Sequence, residues 1–140
     1  MSTLNAALNA SASALNAERT RIEVAVSNLA NAESTRAADG QAYRRRDVVL
    51  ATDHSFEQAL GEAGAVGVKV AAIVEDRAPF QRRYDPSHPD ADAEGFVAMP
   101  NISTPEEMVN MMSASRAYQA NLTAIGLIRE LVQKALDLGK

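Results

Sequence analysis

The chain has 140 residues, enough for one modest domain or a domain with a small insert. Hydrophobic residues make up 46% but aromatics only 4%, with 3 Phe, 3 Tyr and no Trp, so the apolar content suits helices and coiled coils better than an aromatic-filled core. There is no cysteine, which excludes a disulfide framework, a zinc–thiolate site, an iron–sulfur cluster and a catalytic thiol; the net charge of −4 is spread without any basic segment able to neutralise a phosphate backbone or an anionic membrane.

Residues 1–35 are expected to form the N-terminal helix of a coiled-coil domain. They contain neither Gly nor Pro, and Leu8, Leu15, Ile22 and Leu29 recur every seven residues. Leu4 and Val26 thicken that stripe, and Ser11 and Glu18 occupy the second seam position. Ser2 or Thr3 would cap the start. Four asparagines (Asn5, Asn9, Asn16 and Asn28) lower the propensity, so the helix needs a partner for stability. Asn28 and Asn31 beside the apolar seam suit either of two tasks, fixing coiled-coil register or ending the helix near residues 32–35. No basic residue precedes Arg19 and no compact apolar core follows, so a cleavable secretory signal is not expected, and no run approaches the roughly 20 apolar residues of a membrane span.

Residues 36–103 change period and read as a β-rich insert with loops. Asp39-Gly40 signals a turn before a strand within residues 43–52, centred on Val48, Val49 and Leu50. Val66, Val68, Val70, Ala72 and Val74 alternate as a half-buried strand should. Residues 80–84 and 95–99 supply third and fourth candidates, separated by a loop with prolines at Pro86 and Pro89. The glycine-rich stretch 61–67 reads as a connector.

Residues 104–140 read as the C-terminal helix of the same coiled-coil domain. Thr104, Pro105 and Glu107 look like a cap, a first-turn proline and a capping-box glutamate. Met108, Met111, Ser115, Tyr118, Leu122, Ile125, Val132 and Leu136 follow at spacings suited to one seam, with Arg129 in one place beside Ile128. Gly126 is a weak point and Gly139 an end mark. The expected fold class is therefore mainly α: long N- and C-terminal helices paired as an antiparallel coiled coil, with a small β-rich insert between them.

Chemical sites are sparse. Asp90, Asp92, Glu94 and Gly95 copy the start of a calcium-binding EF-hand loop, but the twelfth position is Asn101 instead of a bidentate glutamate, and Pro89 and Pro100 disfavour flanking helices. The plainer reading is an acidic turn whose carboxylates accept backbone hydrogen bonds. His54 and His88 lack a second ligand or nucleophile at a recognisable spacing. Arg44, Arg45 and Arg46, with Arg82 and Arg83, are diluted by nearby acids and suit strand or protein salt bridges better than nucleic acid. Met108, Met111 and Met112 suit a helix seam. No catalytic set, cofactor site or metal site is expected, and the chain is not expected to be an enzyme.

Three blocks carry a resemblance. Ser13-Ala14-Leu15 with Ala17, then residues 28–32, resembles the N-terminal signature of bacterial flagellar rod and hook proteins. Residues 107–121, running from Glu107 to Asn121, resemble the C-terminal signature of the same axial family. Residues 84–92, with Gly95, Phe96, Val97, Pro100 and Asn101, resemble its short proximal-rod branch. Departures are small: Glu18 stands where Gln is usual, Ser34 where Thr is common, and Phe96 where Tyr is common.

The resemblance implies a structural subunit of the flagellar basal-body proximal rod. It would leave the cytoplasm through the flagellar type III export apparatus and polymerise into a helical drive shaft that transmits torque within the periplasmic basal body. Implied partners are other rod proteins, copies of the chain itself, a membrane-ring adaptor at the rod base and the export apparatus, with no nucleic acid and no direct membrane insertion. Implied interface residues are Leu15, Ile22, Asn28, Leu29 and Asn31 on the first helix, and Met108, Met111, Met112, Arg116, Tyr118 and Asn121 on the second. Tyr84, Asp85, Pro86, His88, Pro89, Asp90 and Asp92 would form a loop that meets a neighbour. The competing readings are a small calcium-binding interaction protein using residues 90–94 and a soluble helical adaptor.

Overall fold

The computed structural model describes residues 2–53 and 66–138, with side chains from Leu4 onward. His54, residues 61–65 of the expected connector, Gly139, and the capping side chains of Ser2 and Thr3 lie outside that description. Helix α1 runs Ser2–Ala30 and helix α2 Thr104–Leu138, and the two pack against each other along their lengths. Between them come strands β1 (Arg46–Asp53), β2 (Gly67–Glu75), β3 (Gln81–Tyr84) and β4 (Phe96–Met99). The expected mainly α chain with two terminal helices and a small β insert is what forms.

The strands make two separate antiparallel ribbons, β1 with β2 and β3 with β4. The first lies along α1 and is pinned to it at both ends. Near one end, the Asn28 side chain bonds both the N–H and the C=O of Arg46. Near the other, the Ser13 hydroxyl donates to the Ala10 carbonyl at 2.8 Å and accepts from the Val68 N–H at 3.0 Å. The lengths agree: fifteen helical residues from Ser13 to Asn28 rise about 22 Å, and six strand steps from Arg46 to Thr52, the partner of Val68, cover about 20 Å.

The strand expected within residues 43–52 forms as β1, starting at Arg46 because residues 43–45 are used to cross from the end of α1. One expectation changes here. The alternation along β2 holds only for its first half, where Val68 and Val70 are half-buried; Ile73 and Val74 are exposed. Ala71 is an extra residue in the pairing, since Val49 faces Ala72 and Leu50 faces Val70. One inserted residue moves Ala72 and Val74 to the opposite face from Val70.

Helix α1 stops at Ala30 through tightening turns, in which the Asn31 N–H reaches both Ser27 O and Asn28 O and the Ser34 N–H reaches Asn31 O. The Asn31 side chain donates to Ser27 O and accepts from the Ser34 hydroxyl, so Asn31 ends the helix. Helix α2 begins one residue earlier in its capping frame than expected, with the Glu107 N–H bonding Ser103 O, so that Ser103 and not Thr104 holds the cap position. The Glu107 carboxylate makes no capping box, because both of its oxygens are used elsewhere.

The face that α2 turns inward is also rotated from the expected seam. Glu107 and Ala114 are buried, and Asn110, Met111, Ala117, Tyr118, Asn121, Ala124, Ile125, Ile128 and Val132 are half-buried, which defines one face at helical spacing. Met108, Ser115, Leu122, Arg129 and Leu136, expected in the seam, are exposed. Met111, Tyr118, Ile125 and Val132 lie on the inward face as expected; the small and polar residues that share it, among them Glu107, Ala114, Ala117 and Asn121, are what apolar counting overlooks. On α1, Leu8, Leu15, Ile22 and Leu29 are each half-buried, while Ala6, Ala17, Ala25 and Asn28 are fully enclosed.

Removing the Ser13 hydroxyl tests the pinning of the ribbon. Ser13→Ala leaves the Val68 N–H without its acceptor and is expected to cost about 1 kcal/mol. Hydrogen exchange should quicken at Val68 and its neighbours while the Arg46 end stays protected.

Candidate assembly interface

The most enclosed polar groups of the described chain lie where α1 ends, β1 begins and α2 begins. Asn28 is 0% exposed and Glu107 2%. Asn28 Nδ2 donates to Arg46 O at 2.8 Å and to Glu107 Oε2 at 3.0 Å. Its Oδ1 accepts from Arg46 N at 2.9 Å and from the Tyr43 hydroxyl at 3.2 Å. Arg45 Nε donates to Glu107 Oε1 at 2.6 Å. Burial opposes the charge on Arg45, but its hydrogen bond and ion pair with Glu107 outweigh this and raise its pKa above the usual arginine value. Among the described residues no buried side-chain nitrogen or oxygen lacks a partner.

The arginine run is consumed in the same way. Arg44 stacks over Phe80 at 4.3 Å from the ring centroid, and Arg46 lies over Tyr43 and pairs with Glu75 at 3.5 Å. The open cleft beside this cluster is lined by Arg21, Arg45, Arg46, Asp47 and Asn110 among others. Its arginines are already paired, Arg21 with Glu18, Arg45 with Glu107 and Asp47, and Arg46 with Glu75.

The loop between β3 and β4 is held by its own carboxylates. Asp85 accepts from the Ser87 hydroxyl at 2.7 Å and from the Ser87 N–H; Asp92 accepts from the N–H groups of Glu94 and Phe96, each at 2.9 Å. His88 Nδ1 accepts from the Asp90 N–H at 3.1 Å. Asp90 ties the loop to the chain just after α1, through the Thr35 hydroxyl and an ion pair with Arg36. Gly95 sits at φ +84°, and a Cβ there would lie 3.0 Å from Tyr84 Cε2 and 3.2 Å from Pro86 Cγ, so the close approach of Tyr84 and Pro86 requires glycine.

This arrangement gives the calcium reading no support. Asp90 faces Arg36 and Thr35, while Asp92 and Glu94 both meet Arg82. The three carboxylates serve different partners instead of a common centre, and among the described residues no cluster of three or more His, Asp or Glu side chains is placed to hold a metal ion.

The residues implied as interface therefore fall into three settings. Asn28 lies wholly inside the subunit, and Asn31 is spent on ending α1. Leu15, Ile22, Leu29, Met111, Tyr118 and Asn121 are half-buried between the helices and the surface, with Asn121 Nδ2 donating to Ala117 O. Met108, Met112 and Arg116 stand outside on α2. In the loop, Pro86, Pro89 and Asp92 are exposed, Asp85, His88 and Asp90 are half-buried, and the Tyr84 ring is 65% exposed against the edge of Phe96 at 5.3 Å. The sequence reading missed the roles of Tyr43, Arg45 and Ser13. Nothing in local spacing signals that residue 28 meets residues 43, 46 and 107.

The open surface is extensive. On α2, Met108, Val109, Met112, Leu122, Leu127, Leu131, Leu136 and Leu138 are all at least half exposed, on both flanks of the inward face. Val49, Leu50, Ile73 and Val74 are exposed on the first ribbon. By contrast, five of the nine buried hydrophobic residues among those described are alanines. A chain that leaves large apolar side chains outside and small ones inside has surface to bury against something else.

Comparison with known proteins finds relatives along nearly the whole chain. Residues 8–37 match the family model described as flagella basal body rod protein, and residues 93–138 match that described as flagellar basal body rod FlgEFG protein C-terminal. The flagellar basal-body rod protein FlgC of Salmonella typhimurium is 48% identical over 128 residues, covering 91% of this chain and 92% of the relative. FlgC of Bacillus subtilis is 46% identical over 145 aligned residues, covering 95% and 96%, and FlgC of Buchnera aphidicola is 37% identical over the whole of both chains.

Two measurements test the site. Glu107→Ala leaves Arg45 and Asn28 without their acceptor and is expected to destabilise the fold by about 3 kcal/mol, read as a lowered midpoint in urea. Acid should act on the loop. The hydrogen bond from the Ser87 hydroxyl is the chief cause holding Asp85 below the usual carboxyl value of 3.8, and the Phe96 N–H is the chief cause for Asp92. Both favour the charged form when folded, so their stabilisation is whole above that value and is lost as pH falls through the depressed ones. Amide resonances of Ser87, Glu94 and Phe96 should hold steady down to that value and move only below it.

Proposed function

The chain belongs to the FlgC family of flagellar basal-body rod proteins, and from that premise we propose how its half-covered helices serve the rod. It is a structural subunit of the basal-body rod, a periplasmic assembly, and not an enzyme. Among the described residues no helix is long and apolar enough to cross a membrane.

In this reading α1 and α2 meet through a thin seam and offer their remaining apolar flanks to neighbouring subunits, both copies of this chain and other rod proteins. The observation that carries it is the set of exposed large residues on the two flanks of α2, Met108, Met112 and Leu122 on one and Leu131 and Leu138 on the other. Most of these side chains are already about half covered, so burying the rest on assembly contributes on the order of 1 kcal/mol each, and many repeated contacts supply torsional stiffness without any single strong site. The half-buried Leu15, Ile22, Leu29, Met111, Tyr118 and Asn121 border the same contact, and the tied-down loop with exposed Tyr84, Pro86 and Pro89 offers a rigid outer point of contact. An exposed aromatic ring on a fixed hairpin suits an interface anchor.

The same economy of internal contacts suits passage through the flagellar type III export apparatus, since terminal helices of marginal stability unfold readily and regain order when neighbours cover them. The partners would then include the membrane-ring adaptor at the rod base, and the product would be a proximal drive shaft that transmits torque.

A charge on the outer flank tests this. Met112→Glu and Leu122→Glu, each at a side chain about half exposed in the single chain, should change its stability by only about 0.5 kcal/mol yet abolish incorporation into rods. Cells relying on either variant should fail to swim and yield basal bodies without this subunit; normal rods and normal swimming would overturn the reading.

A further inference from the structure

We propose that Met108 and Met112 form an oxidant-sensitive site on the assembly surface, where conversion of the thioethers to sulfoxides blocks incorporation of the subunit. The oxidant is a diffusible two-electron oxidant, a peroxide or a hypohalous acid. This rests on the assembly reading and names a chemical control on the same surface. Three of the four methionines among the described residues, Met108, Met111 and Met112, fall within the first turns of α2, and the fourth, Met99, ends β4. Their exposure is graded: Met108 is 50% and Met112 52% exposed, Met111 is half-buried on the inward face, and Met99 is 8% exposed. Met108 and Met112 stand four residues apart, so they are neighbours on the helix surface. Farther along α2 the exposed large apolar side chains are all leucines, which a mild oxidant leaves unchanged. The thioether is an adaptable filler for an irregular contact, and it is the one apolar side chain here that a single covalent step makes polar.

The oxidant alone balances the step. A sulfur lone pair attacks one oxygen of hydrogen peroxide; an S–O bond forms, the O–O bond breaks, and after proton transfer the other oxygen leaves as water. Sulfur loses two electrons and the peroxide gains them. With hypochlorous acid the O–Cl bond breaks instead, and chloride and a proton leave. In the free subunit the new sulfoxide oxygen is solvated, because both side chains are half exposed. Covered by a neighbour's apolar surface, it must give up that water, and a polar atom buried without a hydrogen bond opposes association. Neither side chain is enclosed in the single chain, so the same change leaves its core packing intact. Once the subunit is in the rod the two sulfurs are shielded, which confines the sensitivity to subunits not yet assembled.

The purified full chain is treated with dilute hydrogen peroxide and its sulfoxides are followed by peptide mass spectrometry. Met108 and Met112 should oxidise about tenfold faster than Met99, and in intact basal bodies both should slow by about tenfold. Equal rates at Met99, Met108 and Met112 in the free chain, or no slowing in basal bodies, overturns the proposal. Incorporation is then read in cells whose sole copy is either the parent chain or Met108→Leu with Met112→Leu. Sublethal hypochlorous acid is added while rods are being built, and each strain is compared with its own untreated cells. The parent should fall about fivefold and the leucine pair by less than about twofold. An equal fall in both sinks the idea. If the leucine pair does not enter rods in untreated cells, the treated parent is given extra periplasmic methionine sulfoxide reductase, which returns the sulfoxide to the thioether. Incorporation should recover, and no recovery counts against the proposal. Met112→Glu separates the two claims: its entry into normal rods removes the assembly reading, whereas its exclusion together with equal falls in parent and leucine pair leaves that reading standing and removes this one.

Discussion

One carboxylate decides how this molecule is put together. Glu107 lies at the first turn of the second helix, almost wholly out of solvent, and receives hydrogen bonds from a side chain on the first helix and from another just before the first strand. A buried charge is tolerated only when its oxygens are satisfied, and a buried carboxamide only when its donors and acceptors both find partners. Asn28 meets this condition with Glu107, Arg46 and Tyr43 together. Three chain segments must therefore arrive at one point or the polar groups there are left unpaired. The terminal helices and the first ribbon are coupled by that requirement more than by bulk hydrophobic burial.

That division of labour explains the thinness of the core. Alanine dominates the enclosed apolar positions, and alanine removes little surface from water. Direction and position come from polar groups, the Asn28 cluster at one end of the ribbon and Ser13 toward the other. Many of the larger apolar side chains are left exposed. For a rod subunit the proposed assembly gives this arrangement a purpose: position is specified by polar groups inside, and the exposed apolar surface is free to be covered.

The loop between β3 and β4 follows the same logic on a smaller scale. Its acidic spacing imitates a calcium loop, yet each carboxylate is occupied, Asp85 by Ser87, Asp90 by Thr35 and Arg36, and Asp92 by backbone amides and Arg82. Charge that would be needed to hold a cation is used to stiffen a turn and to tie it to the end of α1. The cost of that compact turn is carried by Gly95, where any side chain would collide with Tyr84 and Pro86.

Much of the architecture could be read without coordinates, for local reasons. Glycine- and proline-free heptads, a proline in the first turn of α2, period-two valines and the Asp39-Gly40 turn are each short-range signals, and they place both helices and all four strands to within a few residues. The end blocks and the block around residues 84–92 likewise sufficed to place the chain among flagellar axial proteins. What the tertiary structure alone decided is which faces meet. Counting apolar residues put Met111, Tyr118, Ile125 and Val132 on the inward face, where they are, but it also put Met108, Leu122 and Leu136 there and overlooked Glu107, Ala114, Ala117 and Asn121. It also decided that Glu107 serves Asn28, 79 residues away, in place of its own helix end. Periodicity reports the angle of a side chain about its own axis; it carries no information about a partner far along the chain, and a buried polar pair is recognisable only when both members are seen together.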